Sequence, residues 1–90
     1  NGFAEECNDK EILDAILLLA RTEGIFTEPA GGVSISVLQK MVEQGKIDKN
    51  DKVVCYITGN GLKATESIMQ VLPQPTVYQP NINEISAAVQ

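Results

Sequence analysis

The feature that most constrains the fold is a run of six residues rich in β-branched and aromatic side chains, 53–58, followed at once by a turn in which two glycines bracket an asparagine, 59–61. Such a run favours a buried strand, and the glycines permit a turn that approaches its neighbours closely. In open α/β sheets, ligands bind at the carboxyl ends of the strands. We therefore predict a strand that leads into a binding turn, where Thr58 offers a hydroxyl.

Two helices are predicted upstream of this strand. Asn8 and the glutamate three residues later form a capping box, and Gly24 is typical of the residue that ends a helix. A second helix is expected from residue 30 or 31 to Gly45, because its apolar residues recur at spacings of three and four. The first helix is apolar on more than one stripe, which predicts that it is covered on two sides.

Downstream of the turn, we expect a short helix over 65–72, an edge strand at 76–78 and an amphipathic helix capped by Asn81. The order helix, short extended piece, helix, strand, short helix and tail predicts an α/β fold with a parallel sheet. The prolines at 73 and 75 divide residues 1–72 from a tail, 73–90.

Composition excludes several classes of function. Seven basic residues against twelve acidic ones give a net charge of −5, which disfavours nucleic-acid binding. The chain has no histidine, so a Ser-His-Asp system and a histidine-based zinc site are excluded. The apolar run 15–20 is too short for a bilayer, which needs about 20 residues. Cys7 and Cys55 lack a metal-ligand spacing; Cys55 is predicted to be a buried free thiol, and a reducing, cytoplasmic location is expected.

One alternative for the turn is a dinucleotide site. Gly59, Gly61 and Ala64 match the G-x-G-x-x-G/A pattern after a strand. That pattern also requires a full helix and a second parallel strand ending in an acid, whereas here the predicted helix is short and prolines follow.

Three motifs together resemble one enzyme family. Leu-Ala-Arg-Thr-Glu-Gly-Ile-Phe at 19–26, Glu-Pro-Ala-Gly at 28–31 and Thr-Gly-Asn-Gly-Leu-Lys at 58–63 are similar to the carboxyl-terminal part of the threonine synthase family. These are tryptophan-synthase-like (fold type II) pyridoxal-phosphate enzymes, and the resemblance covers residues 9–72. It implies that residues 1–72 belong to the large cofactor-binding domain of a lyase that converts O-phospho-L-homoserine and water to L-threonine and phosphate.

The resemblance also implies roles for individual residues. Thr58 would hydrogen-bond the pyridine nitrogen of the cofactor, Glu28 would line the pocket, and Gly59 and Asn60 would shape the turn over the ring. A hydroxyl partner leaves that nitrogen unprotonated and the ring a mild electron sink. The Schiff-base lysine is implied to lie upstream, so no catalytic residue is expected here and the chain alone should be inactive. Lys63 is expected to be a surface or salt-bridging lysine.

The expected partners are the small-molecule substrate and either a second copy of the chain or an amino-terminal part of the same enzyme; neither a nucleic acid nor a membrane is expected. An alternative from a different class remains open. The chain could be a stand-alone α/β interaction or oligomerisation module that binds no cofactor and associates through its apolar first helix.

Overall fold

The computed structural model describes residues 2–89 and is mainly helical. Two helices of 15 residues form its body. A 3-10 turn, a single turn of α-helix and a short final helix follow. In chain order the elements are α1 (Asp9–Glu23), α2 (Pro29–Glu43), the 3-10 turn (Gly61–Lys63), α3 (Glu66–Met69) and α4 (Ile82–Ala88).

Helix α1 begins and ends where its sequence predicts. The Glu11 amide donates to Asn8 Oδ1 at 2.9 Å, and the Asn8 amide donates to Glu11 Oε2 at 2.8 Å. This reciprocal pair is the predicted capping box. Gly24 adopts a left-handed conformation with φ of 67° and donates to the Ala20 carbonyl at 3.0 Å, which ends the helix.

Helix α2 starts slightly earlier than expected, at Pro29, because the fixed φ of proline suits the first turn of a helix. Its end confirms the prediction for Gly45, which has φ of 70°. The Gly45 amide donates to the Val42 carbonyl at 3.0 Å, and the Lys46 amide donates to the Met41 carbonyl at 2.9 Å. These two bonds form a Schellman motif, which satisfies carbonyls that the helix leaves unpaired.

The core lies between α1 and α2. Gly32 is buried where the helices meet, and a Cβ added there would lie 2.8 Å from the Ile12 carbonyl oxygen. The helices can therefore approach closely only because this position lacks a side chain. One stripe of α1 is buried, while Leu17 and Leu18 are only half-buried, so the predicted second cover is incomplete within residues 2–89. The buried apolar residues of the core are Ala15, Ile16, Leu19 and Ile68.

The sheet expected from the sequence is not formed by the described residues. Residues 53–57 have no regular secondary structure, and Val54 and Tyr56 are 81% and 78% exposed. Cys55 is free, as predicted, but half-buried rather than buried. A strand needs neighbours to bind its amides and carbonyls, and no segment within residues 2–89 pairs with 53–57. The part of the chain seen here therefore does not confirm the parallel sheet or the buried strand.

The tail carries one of its two predicted elements. Residues 76–78 are not in a strand, so the predicted edge strand is wrong. Helix α4 forms as expected. Asn81 caps α4 by accepting a hydrogen bond from the Asn83 amide at 3.0 Å. No residue of α4 is buried. Among residues 2–89, no helix has both the length and the apolar character needed to cross a membrane.

Candidate functional site

The two motifs singled out in the sequence meet in the structure. The Gly61 amide donates to the Phe26 carbonyl at 2.9 Å, and the Glu28 amide donates to the Gly59 carbonyl at 3.1 Å. These bonds form an antiparallel bridge between Thr27 and Asn60. We call this contact between residues 26–28 and 59–61 the junction. It joins positions about thirty residues apart in the chain, so it depends on tertiary structure.

A buried hydroxyl lies inside the junction. Thr27 is 1% exposed, and its Oγ1 lies 3.1 Å from the Glu28 carbonyl oxygen and 3.3 Å from that of Gly59. Its proton can be donated to either acceptor, so the hydroxyl ties the two segments together. Thr27 could not be recognised from the sequence, because a threonine before Glu-Pro carries no signal that separates it from an ordinary turn residue.

Glycines allow the close contacts at the junction. A Cβ on Gly59 would overlap the Glu28 carboxylate, and one on Gly61 would overlap the Phe26 ring. Gly31 is similarly close to the Thr27 side chain. The missing Cβ atoms of these glycines therefore leave room for side chains of the same chain. This close packing explains the glycines without a bound ligand.

Glu28 is held by an ion pair. Its Oε2 lies 3.0 Å from Lys63 Nζ, and the Glu28 side chain is 16% exposed against 67% for Lys63. The prediction that Lys63 is a salt-bridging surface lysine is confirmed. The carboxylate is thus mostly withdrawn from water, and an ammonium on the 3-10 turn compensates its charge.

Thr58 lies at an open surface depression of about 250 Å³ beside the junction. Its side chain is exposed, and that of Asn60 accepts a hydrogen bond from the Leu62 amide at 2.9 Å. Three of the four predicted cofactor residues line this depression; Glu28 does not, and it contacts the lining through Gly59. The depression combines an apolar wall with a hydroxyl. Its lining residues are Ile25, Phe26, Ile57, Thr58, Gly59 and Asn60.

A separate charged cluster ties the amino-terminal segment to α2. Lys40 Nζ donates to the Glu6 carbonyl at 2.7 Å and to Glu11 Oε2 at 2.9 Å. The hydrogen bond from Lys40 is the main reason that the pKa of Glu11 is lowered, and the same bond raises the pKa of Lys40. A hydrogen bond from Gln44 lowers the pKa of Glu5 in the same way. Within residues 2–89, no group of acidic or cysteine side chains is arranged to hold a metal ion.

The geometry after Gly61 does not fit a dinucleotide site. Gly61 begins a three-residue 3-10 turn, and the next helix, α3, has only four residues. The dinucleotide pattern requires a full helix whose amino terminus faces the pyrophosphate, so this alternative lacks its main structural element.

Comparison with known proteins gives a consistent result. The sequence model of the family described as "Pyridoxal-phosphate dependent enzyme" matches residues 1–59. The chain is 43% identical over 82 residues to a threonine synthase of Methanocaldococcus jannaschii, covering 91% of this chain and 20% of that protein. It is 43% identical over 88 residues to a threonine synthase of Methanosarcina acetivorans, covering 98% and 22%. For a threonine synthase of Halalkalibacterium halodurans, the identity is 44% over 81 residues, covering 90% and 23%.

The same comparisons show how much of each relative the chain matches. The chain spans about a fifth of the length of the curated relatives that it matches.

Proposed function

The chain belongs to the family of pyridoxal-phosphate dependent enzymes, and from this we propose that it is a carboxyl-terminal part of a threonine synthase. The complete protein would convert O-phospho-L-homoserine and water to L-threonine and phosphate. Residues 1–72 would belong to the cofactor-binding domain and 73–90 would form a tail. In the complete protein, residues 53–57 would find the partner strands that they lack here.

The junction is the observation that carries this proposal. It brings the Glu-Pro-Ala-Gly and Thr-Gly-Asn-Gly motifs into direct contact through two backbone hydrogen bonds. Thr58 then stands at the end of the unpaired segment, beside a depression with an apolar wall. A depression lined by apolar side chains on one side and by Thr58 and Asn60 on the other suits the edge of a flat heteroaromatic ring that bears a hydrogen-bonding nitrogen.

Each residue would make a different contribution. Thr58 would donate a hydrogen bond from its hydroxyl to the pyridine nitrogen, which orients the ring and keeps that nitrogen unprotonated. Gly59 and Asn60 would hold the turn in place, Asn60 through its bond to the Leu62 amide. Glu28 would support this edge from behind Gly59. When bound, the cofactor supplies the electron sink for elimination and hydration; the lysine that anchors it would lie in another part of the protein.

The role of Thr58 can be tested in the full-length protein that contains this chain. A single hydrogen bond contributes about 0.5–1.5 kcal/mol, so Thr58→Ala should weaken pyridoxal phosphate binding about two- to twelvefold. Thr58→Ser should restore binding, and Thr76→Ala, an exposed threonine in the tail, should leave it unchanged. Fluorescence titration measures the affinity, and formation of threonine from O-phospho-L-homoserine measures the activity. Equal cofactor affinity in Thr58→Ala and the wild type would contradict the proposed role.

We further propose that the 90-residue chain has no activity by itself. Incubation with pyridoxal phosphate followed by borohydride should leave no lysine modified in stoichiometric amount. Mass spectrometry after proteolysis provides the measurement. Stoichiometric trapping on one particular lysine would show instead that the chain carries its own anchoring residue.

A second candidate function is an interaction module that binds no cofactor. It is favoured by the amount of apolar surface that the described residues leave open, including Val54, Tyr56, Leu62 and Val77, each more than 75% exposed. Exposed apolar surface of this kind marks a contact with other polypeptide. The contact could be with a second copy or with the remainder of the enzyme. Sedimentation separates the possibilities: a discrete dimer without bound cofactor supports the module, while non-specific aggregation fits a part of a larger core.

A further inference from the structure

Lys63 reaches from the end of the 3-10 turn to Glu28, and no role in the site is yet assigned to it. We propose that Lys63 is a positioning residue. Its ammonium holds the Glu28 carboxylate against Gly59 and so fixes the peptide that carries Thr58. This inference rests on the proposed function, because the position of Thr58 matters only where a cofactor ring lies beside it.

The first step is the dependence of Glu28 on Lys63. The Glu28 side chain is 16% exposed, and its ion pair with Lys63 measures 3.0 Å. Lys63 is the only cation found paired with this carboxylate among residues 2–89. A mostly buried carboxylate without a counter-charge is unfavourable. If Lys63 loses its charge, we expect the Glu28 side chain to turn outward into water.

The second step is the contact between Glu28 and Gly59. The Glu28 carboxylate fills the space in which a Cβ on Gly59 would lie, and the Glu28 amide donates to the Gly59 carbonyl at 3.1 Å. Gly59 is therefore held by both the backbone and the side chain of Glu28. Since Thr58 is the next residue, a shift of Gly59 moves the Thr58 hydroxyl.

The third step is the position of Lys63 itself. Its amide donates to the Asn60 carbonyl at 3.1 Å, and the Asn60 side chain caps the same turn. Gly59 contacts Glu28 directly, and the turn that follows Gly59 also contacts Glu28 through the Lys63 ammonium. This closed arrangement couples the charge of Lys63 to the geometry of the turn that follows Thr58.

A purely stabilising ion pair would have a different signature. An ion pair with an exposed lysine usually makes a small contribution to stability. If that were its only role, its loss would not change cofactor binding through Thr58. The two roles are distinguished by whether the loss of Lys63 and the loss of Thr58 affect the same property.

One arm of the experiment measures the junction without the cofactor. Hydrogen exchange is followed at the amides of Glu28 and Gly61 in the full-length protein, in Lys63→Met and Lys63→Arg. The control is Lys49→Met, an exposed turn lysine for which no ion pair is found in the described part of the chain. Lys63→Met should exchange about two- to fivefold faster, the range expected for a partly exposed ion pair. Lys63→Arg should behave like the wild type, and so should Lys49→Met.

The other arm uses pyridoxal phosphate as the probe. Lys63→Met should weaken its binding about two- to fivefold and change the absorption spectrum of the bound cofactor in the same direction as Thr58→Ala. In a Thr58→Ala background, Lys63→Met should add little, because Lys63 acts through Thr58. Additive effects, or an unchanged spectrum in Lys63→Met, would overturn the positioning role.

The outcomes also separate this inference from the proposed function. Unchanged exchange in Lys63→Met, with normal cofactor binding, overturns the inference and leaves the proposed function standing. A wild-type protein that binds no pyridoxal phosphate overturns the proposed function, whatever the exchange rates show.

Discussion

Replacing Gly61 with alanine tests whether close packing against Phe26 builds the junction. Gly61 is buried, and an added Cβ would overlap the Cδ2 and Cε2 atoms of the Phe26 ring. Among the described glycines, a positive φ occurs only at Gly24 and Gly45, so alanine at position 61 suffers no left-handed backbone strain. The Gly61 amide also donates to the Phe26 carbonyl at 2.9 Å. The methyl group therefore forces either the Phe26 ring to rotate or the Gly61 backbone to shift, and a backbone shift would disturb that bond.

The expected cost follows from these contacts. Overpacking of this kind costs about 1–3 kcal/mol, and losing the backbone hydrogen bond would add about 0.5–1.5 kcal/mol. We therefore expect Gly61→Ala to lower the free energy of unfolding by about 1–4 kcal/mol. For a domain of this size each kcal/mol lowers Tm by about 4–8 °C.

The measurement is thermal and urea unfolding followed by circular dichroism, with two glycine controls. Gly2 has nothing within 4 Å of an added Cβ, so Gly2→Ala should change the free energy of unfolding by less than about 0.5 kcal/mol. Gly45 is equally unobstructed but has φ of 70°, so Gly45→Ala should cost about 1–2 kcal/mol through backbone strain. The three variants thus separate a clash, a neutral change and a strained conformation.

A double-mutant cycle with Phe26→Ala identifies the clashing partner. Alanine lacks every ring atom that the added methyl group would overlap, so Gly61→Ala/Phe26→Ala should be less destabilised than the sum of the single variants by at least about 1 kcal/mol. Additivity within about 0.5 kcal/mol would show that the ring does not oppose the added methyl group. The explanation of Gly61 by close packing would then be refuted.

Two further predictions concern the helical body. Ile16 is 2% exposed and Val33 is 37% exposed. Ile16→Ala should therefore lower the free energy of unfolding in urea by about 2–5 kcal/mol, and Val33→Ala should lower it by well under half as much. Similar losses in the two variants would mean that the core is misplaced. The Lys40 ammonium lowers the pKa of Glu11 below its ordinary value of 4.5, so this pair stabilises the fold above that pH and the stabilisation is lost as the pH falls through the lowered pKa. When the pH is lowered from about 6 to about 3, the urea unfolding midpoint of Lys40→Met should therefore fall less than that of the wild type. An equal fall in the two proteins would count against the ion pair.

The helices were predictable because their signals are local. The capping box at Asn8 and the left-handed glycines at 24 and 45 act over a few residues, and the structure places each where the sequence does. The strand at 53–57 was not predictable in the same way. Its residues favour a β conformation, but the hydrogen bonds of a strand come from other segments, which the described residues do not supply.

In the site, too, local features were predictable and long-range contacts were not. The motifs that contain Glu28 and Thr58 stand out in the sequence, and so does the turn that contains Lys63. Their mutual arrangement does not, because it depends on contacts such as that between Thr27 and Gly59, which are 32 residues apart. No local rule selects which glycine faces which side chain.

By itself, the sequence determined both ends of α1, the glycine that ends α2 and the motifs that mark the family, since all of these are fixed by neighbouring residues. Tertiary structure alone decided that Gly59 packs against Glu28, that Gly61 packs against Phe26 and that residues 53–57 stay unpaired. The physical reason is that each contact joins residues about thirty positions apart, and the hydrogen bonds of a strand at 53–57 would likewise have to come from a distant segment, so no local pattern selects either.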